Sequence, residues 1–380
     1  MSNAIYMDAN ATTPPSASAL AALEAALGVT GNPSSVHGFG RASRGLVDRA
    51  RVQVAQLVGA KAENVIFVAG GTEANNLALA SRGSRPLIVS GIEHESVLKP
   101  ALAAGARILR VRRNGQVDLD DLAAALREAG RPAFVSIMLA NNETGVIQPL
   151  REAAALVHTS GGLLHCDASQ APGRIGLDLS ELGADLLTLS AHKMGGALGV
   201  GALVLRGDLA IAPMLIGGGQ EKFRRAGTEN VPAIAAFGAA AEEARTLAHA
   251  SRVAALRERL ETQLAAFGIE ALGKDAPRLP NTACVAVAGK SSETLVMALD
   301  LAGYAISAGS ACSSGKVKPS HVALAMGCGE EIAKSAIRIS LGWWNNEAEI
   351  DGLVARLADM AGRKIHSLPG MHLPGMQPAA

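Results

Sequence analysis

The sequence is poor in aromatic residues. Two Trp, two Tyr and six Phe in 380 positions leave few ring platforms on which single-stranded nucleic acid could stack. It also lacks an excess of charge of either sign. Thirty-five Lys and Arg against 34 Asp and Glu give +1 at pH 7, so there is no electrostatic case for nucleic acid or an acidic membrane surface. No apolar run reaches the length of a membrane span. Cysteine is scarce, and the four present (Cys166, Cys284, Cys312 and Cys328) are far apart, with no CxxC pair. That spacing argues against a disulfide framework and a zinc site, and it predicts a reducing, cytoplasmic setting with no metal. The opening residues 1–8 lack the basic and apolar regions of a secretion signal. Two phosphate motifs are missing as well: no Gly-Lys-Ser/Thr follows Gly70-Gly71, and no GxGxxG follows the first strand.

What is present is an ordinary globular composition, 49% apolar and 18% charged, in a chain long enough for two domains. Residues 5–13 read as a short strand or extended arm. Ser16 or Ser18 is placed to cap a helix ending near Leu27, and an amphipathic helix follows over 40–58. A regular alternation then begins. Strands are predicted at 64–68, 87–90, 107–111, 133–139, 162–166, 185–189 and 199–205, with helices from Ala74, after His94, over 119–128 and over 150–159. Such alternation implies βαβ units and a mainly parallel sheet. A helical pattern runs over 231–267. Strands are predicted at 282–288 and 304–307. Asn346-Glu-Ala-Glu349 is a capping-box start for a helix to about Met360. The tail, with Leu368-Pro-Gly-Met371 and Leu373-Pro-Gly-Met376, reads as frayed.

The stretch Thr188-Leu-Ser-Ala-His-Lys-Met-Gly-Gly196 organises the chain. A buried strand ends there, and Lys193 sits in the glycine-rich turn beyond it. Ligands of α/β sheets bind outside the carboxyl ends of strands. A lysine in such a crevice can lose its charge by desolvation and form an imine with an aldehyde cofactor. Thr72, His94, Asn142, Asp167, Gln170 and Lys193 all fall at strand ends. Together they meet the requirements of pyridoxal phosphate. Lys193 supplies the imine. Asp167 is an anion able to keep a pyridine nitrogen protonated. Gly70, Gly71 and Thr72, at a helix start, offer donors to a phosphate, and Ser190 and His192 can add more. Cys312 lies among small residues, Ser307-Ala-Gly-Ser-Ala-Cys-Ser-Ser-Gly315, which predicts an accessible, mobile thiol. The other three cysteines read as structural.

These stretches carry a resemblance over about residues 4–360. Tyr6-Met-Asp-Ala-Asn-Ala-Thr-Thr13, Gly71-Thr-Glu-Ala-Asn-Asn76, Asn141-Asn-Glu-Thr-Gly145, Asp167-Ala-Ser-Gln170, Ser190-Ala-His-Lys193, Arg225-Ala-Gly-Thr-Glu-Asn230, Gly309-Ser-Ala-Cys-Ser-Ser314 and Ile337-Arg338 are similar to the cysteine desulfurases of the iron–sulfur and nitrogen-fixation type. That group lies within the aminotransferase class V branch of fold-type I pyridoxal-phosphate enzymes. The resemblance implies an α/β fold. Its large domain, residues 14–250, would hold a mainly parallel sheet with helices on both faces. A smaller α+β domain would join 1–13 to 251–380.

The resemblance also implies roles. Lys193 holds pyridoxal 5'-phosphate and moves the substrate's Cα proton. Asp167 pairs the pyridine nitrogen, Gln170 the ring oxygen, and His94 stacks on the ring and, as a catalytic residue, relays protons. Gly71, Thr72, Ser190 and His192 hold the phosphate, and Thr228 reaches the phosphate of a partner subunit, which implies a homodimer. Asn142 faces the site and Arg338 clamps the substrate carboxylate. Cys312 takes sulfur from L-cysteine as a persulfide, leaving alanine, and passes it to an iron–sulfur scaffold or another sulfur-acceptor protein. The rival expectations are a selenocysteine lyase or another class V enzyme such as a transaminase, and a non-catalytic binding protein on the same fold. Two departures from the family pattern are Ala9-Asn10, where Asn-Asn is common, and Trp343-Trp344 after Gly342.

Overall fold

The computed structural model describes residues 4–309 and 318–362. It opens on an extended arm. Strand β1 (Ile5–Tyr6) is followed by Met7 to Thr13, which run from contacts with Ala305 and Ser340 to one with His192. Next come helices Ala17–Leu27 and Gly38–Leu57. The first begins where Ser16 Oγ accepts the Ala19 N–H, one of the four donors that a helix start leaves unpaired.

The main sheet has seven strands: β2 (Val65–Val68), β3 (Leu87–Ser90), β4 (Arg107–Leu109), β5 (Phe134–Ser136), β6 (Leu163–Asp167), β7 (Leu186–Ser190) and β8 (Gly201–Leu205). Their order is β2-β8-β7-β6-β5-β3-β4. Only β8 runs against its neighbours, antiparallel to both β2 and β7. The remaining pairs are parallel. Successive residues of a strand point to opposite faces, and here both faces are buried. Val65, Phe67, Ile88, Val135, Cys166, Leu187 and Val204 pack against helices on one side. Ile66, Val68, Val89, Phe134, Leu186 and Leu203 pack against Leu77 and Ala78 of helix Gly71–Ala80, and Val97 and Ala101 of helix Glu95–Ala103, on the other. This is the α/β layering that the alternation predicts.

A second core lies beyond residue 250. Strands β9 (Thr282–Ala286), β10 (Tyr304–Ala305), β11 (Ser307–Ala308) and β12 (Ala336–Ser340) follow in the chain. β9, β12 and β11 form an antiparallel sheet of order β11-β12-β9, and β10 pairs with β1 in parallel. Val253, Leu256 and Leu260 from helix Ala250–Ala265 and Ile350, Leu353 and Leu357 from helix Glu347–Met360 cover that sheet. Met7 of the arm joins the same core. The capping box expected at Asn346 is present, with Asn346 and Glu349 bonded reciprocally.

Several expectations are corrected in detail. The helical stretch 231–267 is two helices, Val231–Ala244 and Ala250–Ala265, broken where Leu247 takes a left-handed φ of 52°. The helix expected from Ala74 starts three residues earlier, at Gly71, because the Gly71-Thr72-Glu73 backbone turns in at once. The strand expected at 133–139 keeps only Phe134–Ser136. The strand expected at 304–307 divides into β10 and β11, each with a different partner. No helix among the described residues is long and apolar enough to cross a membrane.

Candidate active site

The parallel strands end at one edge of the sheet, and a cavity of about 380 Å³ opens there. Asp167 closes β6 and Ser190 closes β7. These strands are neighbours, with Asp167 beside Thr188 in register. A short turn, Ala191–Lys193, carries the chain off β7 and turns the lysine back over the strand ends. The arm grips that turn: Thr13 N–H donates to His192 O at 2.9 Å and Thr13 Oγ1 to Lys193 O at 2.9 Å.

Lys193 Nζ donates to the carbonyls of Asn10 at 2.5 Å and Ala11 at 2.8 Å. Burial, with the positive charges of Arg338 and Arg174 nearby, lowers its pKa to about 7. An amine so placed has a substantial neutral fraction near neutral pH, and the neutral amine is the nucleophile. Asp167 is 6% exposed. Its Oδ2 accepts from Asn75 Nδ2 at 2.7 Å, and its Oδ1 accepts from the Ser169 N–H at 2.9 Å. Gln170 Nε2 donates to Asn10 O at 3.1 Å, and its Oε1 accepts from Arg174.

Helix Gly71–Ala80 begins at the cavity with no side-chain cap, its preceding residue being Gly70. The first-turn N–H groups therefore face the cavity edge without a helical acceptor. The backbone is crowded there. A Cβ on Gly71 would come within 3.2 Å of Ser169 Oγ and 3.4 Å of Ser190 Cβ. A Cβ on Gly201 would strike Leu189 O at 2.7 Å and the Gly70 carbonyl carbon at 2.8 Å. Glycine at 201 is what lets Gly70 lie against β8.

Gly71, Thr72, His94, Asn142, Asp167, Gln170, Ser190, His192, Lys193 and Arg338 all line this one cavity. Thr228 does not line it and is exposed. Cys312 lies outside the described residues, but Gly309, three positions before it, also lines the cavity. His192 Nδ1 lies 3.2 Å from Thr12 Oγ1, and burial with the neighbouring Lys193 charge lowers its pKa to about 4. Arg338 pairs with Asp8 at 2.7 Å.

Sequence reasoning assigned no role to several residues that matter here. Asn10 is a buried hub. Its N–H donates to Ser340 Oγ at 2.9 Å, its Nδ2 to Thr282 Oγ1 at 2.9 Å and Asn142 O at 3.1 Å, and its Oδ1 accepts from Asn281 at 3.0 Å. Glu143, also buried, accepts from Ser320 Oγ at 2.5 Å, and burial raises its pKa to about 7. Asn75 holds Asp167. All three fall inside the stretches that carry the resemblance, which is the only signal that marks them.

The donor set fits pyridoxal phosphate. It joins a buried amine of lowered pKa, a buried carboxylate on the adjoining strand end and an uncapped helix start whose Gly70 packs against the Cβ-free Gly201 of β8. Among the described residues, no group of three His, Cys, Asp or Glu is arranged to hold a metal.

Comparison with known proteins agrees with this geometry. The aminotransferase class-V family matches residues 5–353. The chain is 43% identical over 367 residues to a cysteine desulfurase of Cereibacter sphaeroides, covering 92% of this chain and 94% of that protein. A NifS-like protein from Rickettsia africae ESF-5, solved by X-ray, superposes with a TM-score of 0.88 at 33% identity, covering 94% of this chain and 99% of that one. The structure described as SspA in complex with cysteine superposes with a TM-score of 0.75 at 28% identity, covering 90% of this chain and 99% of that one.

Proposed function

We infer, because this chain belongs to the aminotransferase class-V family and within it to the cysteine desulfurases, that it converts L-cysteine to L-alanine and keeps the sulfur on Cys312. The observation that carries this reading is convergence. The Lys193 amine, the Asp167 carboxylate, the open start of helix Gly71–Ala80 and the Arg338 guanidinium line one cavity, and so does Gly309, from which the Cys312 segment departs.

Pyridoxal 5'-phosphate, when bound, supplies an aldehyde for the substrate's amino group and a ring that withdraws electrons from its Cα. Lys193 would hold the cofactor at its aldehyde end, and its amine would move a proton at the substrate Cα. Asp167 keeps a proton on the pyridine nitrogen by standing beside it as an anion. Gln170 would hold the cofactor's ring oxygen, and His94 would stack on the ring. The helix start, with Gly71, Thr72, Ser190 and His192, takes the phosphate. Arg338 takes the substrate carboxylate, with Asn142 beside it. The Cys312 thiolate attacks the substrate sulfur. An S–S bond forms as the substrate's C–S bond breaks, the bonding electrons stay with the carbon fragment, and Cβ takes a proton to become the alanine methyl.

The two hydrophobic cores support a division into a large domain, 14–250, and a small one that joins 1–13 to 251–380. The exposed position of Thr228 suits a residue that serves a second copy's site, in a homodimer where each subunit lends the same residue. The sulfur acceptor would be an iron–sulfur scaffold or another carrier protein, in a reducing cytoplasm. A cysteine pulse followed by peptide mass spectrometry tests the reading. One added sulfur is expected on Cys312, with an equivalent of alanine, and Cys312→Ser should bind cofactor and cysteine yet release no alanine. Sulfur on Cys166, Cys284 or Cys328 instead, or alanine from Cys312→Ser at the wild-type rate, would overturn it.

A further inference from the structure

A chain of four side chains, Asp167, Asn75, Ser96 and His94, runs along the cavity wall. Asn75, 1% exposed, lies within helix Gly71–Ala80. Its Nδ2 donates to Asp167 Oδ2 at 2.7 Å and to Ser96 Oγ at 2.8 Å. Turning the amide over would set its oxygen against the Asp167 carboxylate, so the donor assignment is forced. Ser96 Oγ lies 2.8 Å from His94 Nδ1, and the Ser96 backbone N–H donates to the same nitrogen at 3.2 Å. The helix cap explains this contact. His94 precedes the first turn of Glu95–Ala103, and its Nδ1 stands where a Ser or Asp oxygen would cap.

A backbone N–H can only donate, so Nδ1 presents its lone pair. The Ser96 hydroxyl already accepts from Asn75, and its own hydrogen turns toward Nδ1. A neutral imidazole that accepts at Nδ1 carries its hydrogen on Nε2, and Nε2 makes no hydrogen bond among the described residues. We propose that Asn75 and Ser96 are positioning residues. They tie the Asp167 carboxylate to the His94 ring and hold that ring neutral, with its proton on Nε2. The proposal rests on the reading of this cavity as the pyridoxal-phosphate site. There it gives the ring a direction: His94 offers a proton at Nε2 and resists taking one at Nδ1.

The charges around His94 do not impose the opposite state. Asp167 and Glu95 favour the protonated ring, while Lys193 and Lys99 oppose it, and His321 stands nearby. Burial outweighs them and lowers the pKa. Two donors aimed at Nδ1 act in the same direction as burial, since a second ring proton would have to displace both.

The test is long-range nitrogen–proton correlation on full-length protein labelled with ¹⁵N-histidine, cofactor-loaded and cofactor-free, with His94 assigned by difference from His94→Gln. His94 is expected as the neutral ring protonated at Nε2. Asn75→Ala and Ser96→Ala should each raise its titration midpoint by about half a pH unit. The double variant should go no further, and Ser96→Thr should keep the wild-type midpoint. A proton on Nδ1 in the wild type, or an unmoved midpoint in Asn75→Ala, overturns the proposal. Should Asn75→Ala fail to fold, the wild-type tautomer and the Ser96 variants decide. None of these readouts needs turnover. A chain without desulfurase activity that still gave these spectra would sink the activity reading and leave this one standing.

Discussion

Arg338 and Asp8 meet at 2.7 Å inside the site. Arg338 is the residue expected to clamp the substrate carboxylate, yet one edge of its guanidinium is already held by a carboxylate from the arm. Asp8 is fixed in turn by Ser307 Oγ, which donates to it at 2.7 Å. Arg338 also donates to Asn142 O at 3.2 Å, and its buried Nε has no partner among the described residues. The substrate carboxylate must therefore share this cation with Asp8 or displace it.

A competition of this kind can be measured. Asp8→Asn removes the rival charge and should lower KM for L-cysteine by about threefold to tenfold, while Arg338→Ala should raise it by about 100-fold. Arg338→Lys should recover only part of that loss, because an ammonium cannot offer two parallel donors. Steady-state alanine release gives all three values. A higher KM in Asp8→Asn would mean that Asp8 aims the guanidinium rather than competing for it.

Lys193, with a pKa lowered to about 7, sheds its proton well below the usual range for lysine. Loading of cofactor-free protein with pyridoxal phosphate should therefore quicken as pH rises through about 7 and then level off. A rate still climbing near pH 10 would show that the amine is not desolvated. Lys193→Ala should lose the yellow absorption, and borohydride reduction followed by peptide mapping should place the pyridoxyl group on Lys193 alone.

Asp167→Asn keeps the shape of the strand end and removes the anion. Without it, the pyridine nitrogen gives up its proton more readily. Activity should fall by about 100-fold or more, with the cofactor band shifted and its affinity reduced. Titration of absorbance and of alanine release on the same sample separates the two effects. Wild-type turnover would remove Asp167 from the mechanism.

Glu143 gives the protein a pH-dependent stability term. Its folded pKa is raised to about 7 by burial, from an ordinary 4.5. Between those values the folded state holds a proton that the unfolded state has lost. Stability from this group is thus complete below about pH 4.5 and is lost as pH rises through 7, by roughly 3 kcal/mol at most. Glu143→Gln should flatten that part of the curve in urea titrations at pH 5 and pH 8. An unchanged slope would mean that Glu143 is ionised throughout.

Much of the large sheet was legible because each strand there is an apolar run between helical stretches, and because caps such as Ser16 and Asn346 are local signals. The candidate site was legible where chemistry demands a residue type at a strand end, as at Asp167 and Lys193. What escaped is non-local. Strands β10 and β11 have two residues each and exist only through partners, Ile5 for Tyr304 and Arg338 for Ser307. The break at Leu247 carries no mark, since leucine is an ordinary helix residue. Asn75 reads as a surface-type polar residue until Asp167, 92 positions later, is folded against it. The Asp8–Arg338 pair spans 330 positions.

The arm sets an order for synthesis. Residues 14–250 contain every strand of the main sheet, so that core can assemble while the rest is still being translated. The arm is made before it and finds only part of its anchorage there, on Gln170, Arg174, His192 and Lys193. Its other partners, Tyr304, Ala305 and Ser340, leave the ribosome near the end. Until then the Asn10 segment is held over Lys193 from one side only, without Ser340, Thr282 and Asn281. A nascent chain stopped short of β12 would carry a folded sheet and an unfinished lysine pocket. A ribosome-bound chain truncated before residue 336 should therefore capture pyridoxal phosphate more weakly than the full chain, read as a fainter yellow band.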